Sequence, residues 1–159
     1  MVRRLLVLAS TVSSILAFSS ATYAQQAGGT ADEAKAMLLK AIAAVKADRA
    51  NALEMFKKGE NGFLDRDLYV FCNTLEDGMI VALGNPNAQQ LIGKDVRTLK
   101  DSAGKAFGQE IFAGEHVAEG QLTEVEYMFP RPGSDKTPVP KVSLVTKSGE
   151  LGCGVGYYK

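Results

Sequence analysis

The sequence predicts an α+β domain in which one long N-terminal helix packs on a five-stranded antiparallel sheet. Three observations point there. Apolar residues recur at helical spacing from Ala34 to Phe56. Five later runs have the alternating, β-branched and aromatic character of strands. The order is helix, two strands, an irregular middle, then three strands, which is not the βαβ alternation of a doubly wound sheet.

The chain has 159 residues. Its first 24 residues read as a secretory signal: Arg3 and Arg4 form a basic start, Leu5 to Phe18 is mostly apolar, and SSATYA offers small residues before cleavage after Ala24. The apolar run is shorter than the roughly 20 residues a membrane span needs. Residues 25–33 are a short polar leader, and 34–159 form one domain with one core. The expected product is soluble and periplasmic or secreted.

Thr30-Ala-Asp-Glu33 has the form of a capping box. The helix it opens carries Ala34, Met37, Leu38, Ala41, Ile42 and Val45, crosses a polar break at Asp48-Arg49, resumes with Ala52, Leu53 and Phe56, and ends near Gly59. Leu68 to Cys72 is the first strand. Asp77-Gly78 supplies a hairpin turn, and Met79 to Leu83 returns. After an irregular polar stretch, Phe107 to Glu119 has helical spacing weakened by Gly108 and Gly114. Thr123 to Phe129 alternates, with Val125, Tyr127 and Phe129 on one face. Lys141 to Lys147 and Leu151 to Tyr158 are the last strands. In the final one Gly152, Gly154 and Gly156 share a face, which predicts a close approach there, and the long helix is the expected neighbour.

Composition narrows the function. The full chain balances 18 basic against 18 acidic residues, and loss of Arg3 and Arg4 leaves a small acidic excess. No basic stripe appears, which argues against nucleic acid as a partner. Catalysis has little support: the single histidine, His116, stands alone, and no nucleophile elbow, phosphate loop, metal-ligand spacing or cofactor motif is present. Cys72 and Cys153 both fall in strand-like runs. In an oxidising compartment they read either as a disulfide closing about 80 residues, worth roughly 2–4 kcal/mol, or as two buried thiols.

The segment YMFPRPGSDKTPVPK (127–141) holds four of the five prolines. Proline fixes φ and removes a donor, so this stretch is expected to be a stiff loop forming one wall of a pocket. Lys141 and Arg131 flank it. Lys141 suits a carboxylate, as a point charge with three donors. Tyr127 and Tyr69 offer a hydroxyl beside an apolar ring, and both also suit a plain core.

In order and spacing, Asp-Leu-Tyr-Val-Phe (67–71), Asp-Gly (77–78), Leu-Ile-Gly-Lys-Asp (91–95), Asp-Ser-Ala-Gly-Lys-Ala-Phe (101–107), Tyr-Met-Phe-Pro-Arg-Pro-Gly (127–133), Pro-Lys (140–141) and Gly-Cys-Gly-Val-Gly-Tyr-Tyr (152–158) resemble the single Cache domain, a PAS-like extracytoplasmic sensor module. The resemblance covers about 34–159. It implies a pocket on the sheet face away from the helix that takes small organic ligands, often short carboxylates or amines, with the Pro-Lys lysine facing it. It also implies a membrane receptor as partner and pairing of two copies through the long helix. The chain departs from the pattern in having Leu83-Gly84-Asn85-Pro86 where many members carry His-Pro, and Cys153 near a common tryptophan. It shows neither a transmembrane helix nor an output module, so a free-standing domain is expected. The expectation is therefore an exported, non-enzymatic domain that binds a small, anionic organic ligand without a cofactor. The alternative is a structural or protein-interaction module of the same fold without a ligand.

Overall fold

The computed structural model describes residues 28–133 and 135–159. The signal segment and the first residues of the leader lie outside the described residues. The predicted long helix is two: α1 (Ala31–Ala47) and α2 (Arg49–Lys58). Asp48 breaks them apart. Its backbone is extended, its N–H closes α1 on Ala44, and its carboxylate caps α2 by accepting from the Asn51 N–H. The capping box at the start of α1 forms as expected: Thr30 Oγ1 accepts from the Glu33 N–H, and the Glu33 carboxylate accepts from the Thr30 N–H. Gly59 takes the left-handed conformation that ends α2.

The sheet has six strands: β1 (Leu64–Asp65), β2 (Leu68–Thr74), β3 (Ile80–Leu83), β4 (Thr123–Pro130), β5 (Pro138–Ser148) and β6 (Leu151–Tyr158). The order is β1-β2-β6-β5-β4, with β3 also paired to β2, and all pairings are antiparallel. The first and last segments of the domain thus meet in the middle of the sheet, at β2 and β6. The two-residue β1, too short to show a period, is the strand beyond the expected five. Between β3 and β4 the chain makes two short 3-10 turns (Pro86–Leu91 and Val96–Thr98) and helix α3 (Phe107–Glu115). α3 stops four residues earlier than its periodicity suggests. Its glycines mark close packing: a Cβ at Gly108 would overlap the Val96 carbonyl, and one at Gly114 would press on Thr123.

Two predictions need correction. The proline segment is mostly hairpin, because Pro130 pairs with Pro138 and Met128 with Pro140 across β4 and β5, leaving only residues 131–137 as the connection. The ladder tolerates these prolines near its end, where fewer N–H groups are needed. The glycine row of β6 does not receive the long helix. α1 and α2 pack instead on Leu68, Val70 and Cys72 of β2 and Leu151, Cys153 and Val155 of β6. In the middle of that layer Cys72 and Cys153, directly opposed across β2 and β6, are joined in a disulfide.

Candidate functional site

Because side chains alternate along a strand, the register assigns one face of the sheet without further argument. Phe71 and Asn73 of β2 pair with Gly154 and Gly152 of β6, Tyr69 continues the same face of β2, and Gly156 and Gly154 pair with Ser143 and Val145 of β5. Lys141 stands between Tyr127 on β4 and Tyr158 on β6. The glycine row is what makes room here. A Cβ at Gly156 would collide with Lys141 Cε and Ser143 Oγ, at Gly154 with the Phe71 ring, and at Gly152 with the Glu115 carboxyl.

Between this face and the α3 segment lies a cavity of about 40 Å³. One water needs roughly 10–15 Å³ of such space, so the cavity suits a ligand of a few heavy atoms. Its walls are Tyr69, Phe71 and Tyr127 from the sheet, Ile80 and Leu83 from β3, and Val96, Phe107 and Ile111 from the covering segment. Phe107 stacks on Tyr127 at 4.1 Å with the rings 3° from parallel, which fixes α3 over β4. Outside the cavity a groove between Asn85–Leu91 and Phe129–Lys136 shares Leu91 and Phe129 with the cavity wall. The groove runs between the first 3-10 turn and the β4–β5 connection, and the Asn87 side chain donates to the Gly133 carbonyl (2.8 Å) between those two segments.

Lys141 is fully buried. Its Nζ donates to the Tyr69 hydroxyl (2.7 Å) and sits over three rings, 4.0 Å from the Tyr69 centroid, 4.8 Å from Tyr158 and 5.4 Å from Phe129. Tyr69, on the cavity wall, thus stands between the ammonium and the cavity. Burial pushes Lys141 down to about 7, with the Asp67 charge opposing that shift. Burial likewise pushes the phenols of Tyr69, Tyr127 and Tyr158 up, so all three stay neutral. The Tyr127 hydroxyl shares a 2.8 Å hydrogen bond with Ser143, and Tyr158 donates to the Pro130 carbonyl at 2.8 Å.

Of the four side chains singled out from sequence, Tyr69 and Tyr127 line this cavity, and Lys141 lies behind its wall, bonded to the Tyr69 hydroxyl. Arg131 does not reach it. Its guanidinium pairs with Asp67 and lies 4.6 Å from the Tyr158 ring, and the residue lines the outer groove. Asp67 also accepts from the Gly29 N–H at 2.6 Å, so one carboxylate ties the β4–β5 tip to the chain entering α1. Asp67, Tyr158, Phe107 and Ser143 escaped the sequence reading as site residues. Tyr158 and Ser143 were recoverable by extending the Tyr127 and Lys141 faces across the register; Asp67 was not, because its partners are 38 and 64 residues away.

A second polar pair lies toward the other end of β2. Glu115, fully buried at the end of α3, accepts from Asn73 Nδ2 at 2.8 Å. Among the described residues Glu115 Oε1 and Asn73 Oδ1 have no hydrogen-bond partner. Burial pushes Glu115 up to about 8, and the Asn73 hydrogen bond only partly opposes this. The unfolded carboxyl ionises near about 4.3, so stability from the neutral, buried acid is complete below that pH and is lost progressively up to about 8. Glu115→Gln should therefore be nearly neutral at pH 4 and stabilising by on the order of a few kcal/mol at pH 8. Urea midpoints at the two pH values test this, and an equal effect at both would refute it.

Among the described residues no group of three or more His, Cys, Asp or Glu could hold a metal, and no helix is long and apolar enough to cross a membrane. His116 is exposed and bonds the Phe112 carbonyl through Nδ1 at 2.7 Å.

A helical layer on one face of an antiparallel sheet, with a small apolar cavity under short helices on the other, defines a PAS-like sensor domain. The chain belongs to the single Cache domain 2 family, whose model matches residues 3–158. Solved structures agree. A periplasmic sensor domain of a chemotaxis protein is 27% identical with a TM-score of 0.59, covering 80% of this chain and 88% of that one. A methyl-accepting chemotaxis protein from Vibrio parahaemolyticus RIMD 2210633 is 20% identical with a TM-score of 0.62, covering 80% and 86%. A Cache chemosensory domain, described for carboxylic acid recognition, is 24% identical with a TM-score of 0.57, also covering 80% and 86%. Comparison with curated proteins finds no match.

Proposed function

We propose that this chain is an extracytoplasmic sensor domain that binds a short carboxylate, acts by binding rather than turnover, and presents its ligand state to a membrane receptor. The observation that carries the reading is Lys141: a fully buried amine that, among the described residues, has one hydrogen bond, to Tyr69, and no carboxylate paired with it. A buried charge without a counter-ion lowers stability. Buried groups with strongly perturbed titration cluster at functional sites. In this reading the carboxylate reaches the Tyr69–Lys141 pair, its apolar tail lies against Phe71, Ile80, Leu83 and Phe107, and Tyr127 bounds the tail. Arg131, held by Asp67, lines the outer groove. Export by the N-terminal signal and pairing of two copies through α1 belong to the same proposal. The ligand class rests on this geometry; the likeness to the carboxylic-acid-binding Cache domain supports the fold.

A thermal-shift series with acetate, propionate, pyruvate and short amines tests it. The acids should raise the melting temperature with concentration, approaching about 2.7 kcal/mol of added stability at a hundred times Kd. Flat curves for every acid would leave an interaction module of the same fold.

A further inference from the structure

We infer that ligand capture at this site is proton-coupled: above neutral pH the ligand-free cage holds Lys141 mainly as a neutral amine, and there a carboxylate enters together with up to one proton. The site then takes short monocarboxylic acids in net-neutral form. This rests on the carboxylate reading above and adds its stoichiometry.

The surroundings of Nζ are almost without charge. β2 presents Tyr69, β4 presents Tyr127 and Phe129, and β6 presents Tyr158; none carries a charge, because burial holds all three phenols protonated. Among the described residues the one anion acting on Nζ is Asp67. It is already engaged by the Arg131 guanidinium and the Gly29 N–H. No free carboxylate in the ligand-free cage therefore balances an ammonium, and desolvation outweighs the pull of Asp67, leaving Lys141 at about 7. An incoming carboxylate reverses that balance, since a close opposite charge in a dry site favours the charged amine. Linkage then requires proton uptake wherever the empty site is neutral and the filled one charged. A dicarboxylate would bring a second anion while Arg131 is already paired with Asp67, and an amine would find Asp67 likewise engaged.

Calorimetry with propionate in phosphate and in Tris, at pH 7.0 and 8.5, reads the coupling directly. Proton uptake should rise from roughly half a proton to nearly one, and affinity should fall about tenfold per pH unit above neutrality. Propionate should outbind succinate. Binding of propionate with no proton uptake at pH 8.5 would overturn the inference while leaving the carboxylate site standing. Absence of binding by both acetate and propionate would overturn both. A ligand-free arm is independent of affinity: in protein carrying 13Cε-lysine, with the signal assigned by its loss in Lys141→Met, Lys141 should titrate near neutrality and move well upward with propionate. A Lys141 signal that titrates with the exposed lysines in the empty protein would equally overturn the inference.

Discussion

Lys141→Met should raise the melting temperature of the ligand-free protein and erase its response to short carboxylates. The two effects have one cause. Burial lowers the Lys141 amine to about 7, against about 10.4 in the unfolded chain. For a group whose folded value is depressed, the favourable state is complete above the unfolded value and is lost as pH falls through the folded one. At pH 7 almost the whole cost is present. Methionine fills similar space without it, but gives up the Tyr69 hydrogen bond and the ring contacts, so the net gain is on the order of 2–3 kcal/mol. That corresponds to roughly 5–10 °C. The gain should vanish above about pH 10.5. Carboxylate affinity should drop about 100-fold or more, as expected when a buried charge loses its partner. Calorimetry and thermal melts on the same variant check both halves; undiminished binding would remove Lys141 from the site.

Breaking the Cys72–Cys153 bond should cost about 3–5 kcal/mol, because it closes a long loop. The loop spans 81 residues, and both sulfurs lie within the fully buried core between α1 and the sheet. The bond also holds β2 to β6, the strands that carry Tyr69 and Tyr158, so loss of the disulfide should loosen the lysine cage as well as the core. Urea unfolding of the Cys72→Ala/Cys153→Ala double variant measures the first effect, and propionate affinity measures the second. A midpoint within error of the parent would show that packing alone secures this pair of strands.

Much of this was legible in the residues. The capping box at Thr30, the stop at Gly59, the alternation of Val125, Tyr127 and Phe129, and the Asp-Gly turn each act over a few residues, and each formed where its chemistry indicates. The break at Asp48 was visible as a polar interruption, yet its consequence depended on the carboxylate turning to cap a second helix. The prolines signalled a special segment and misled about its shape, since a hairpin end accepts them as readily as a loop does.

Local chemistry determined the kinds of element, the capping, the alternating faces and the lysine worth testing. Packing decided the rest: which face of β6 meets the helices, why its glycines stand over Lys141, Phe71 and Glu115 instead, how Asp67 ties Arg131 to the start of α1, and that Lys141 is dry. The division has a physical origin. Periodicity and capping are short-range and repeat along the chain, whereas desolvation and charge pairing are set by neighbours tens of residues away, brought close only when the sheet closes.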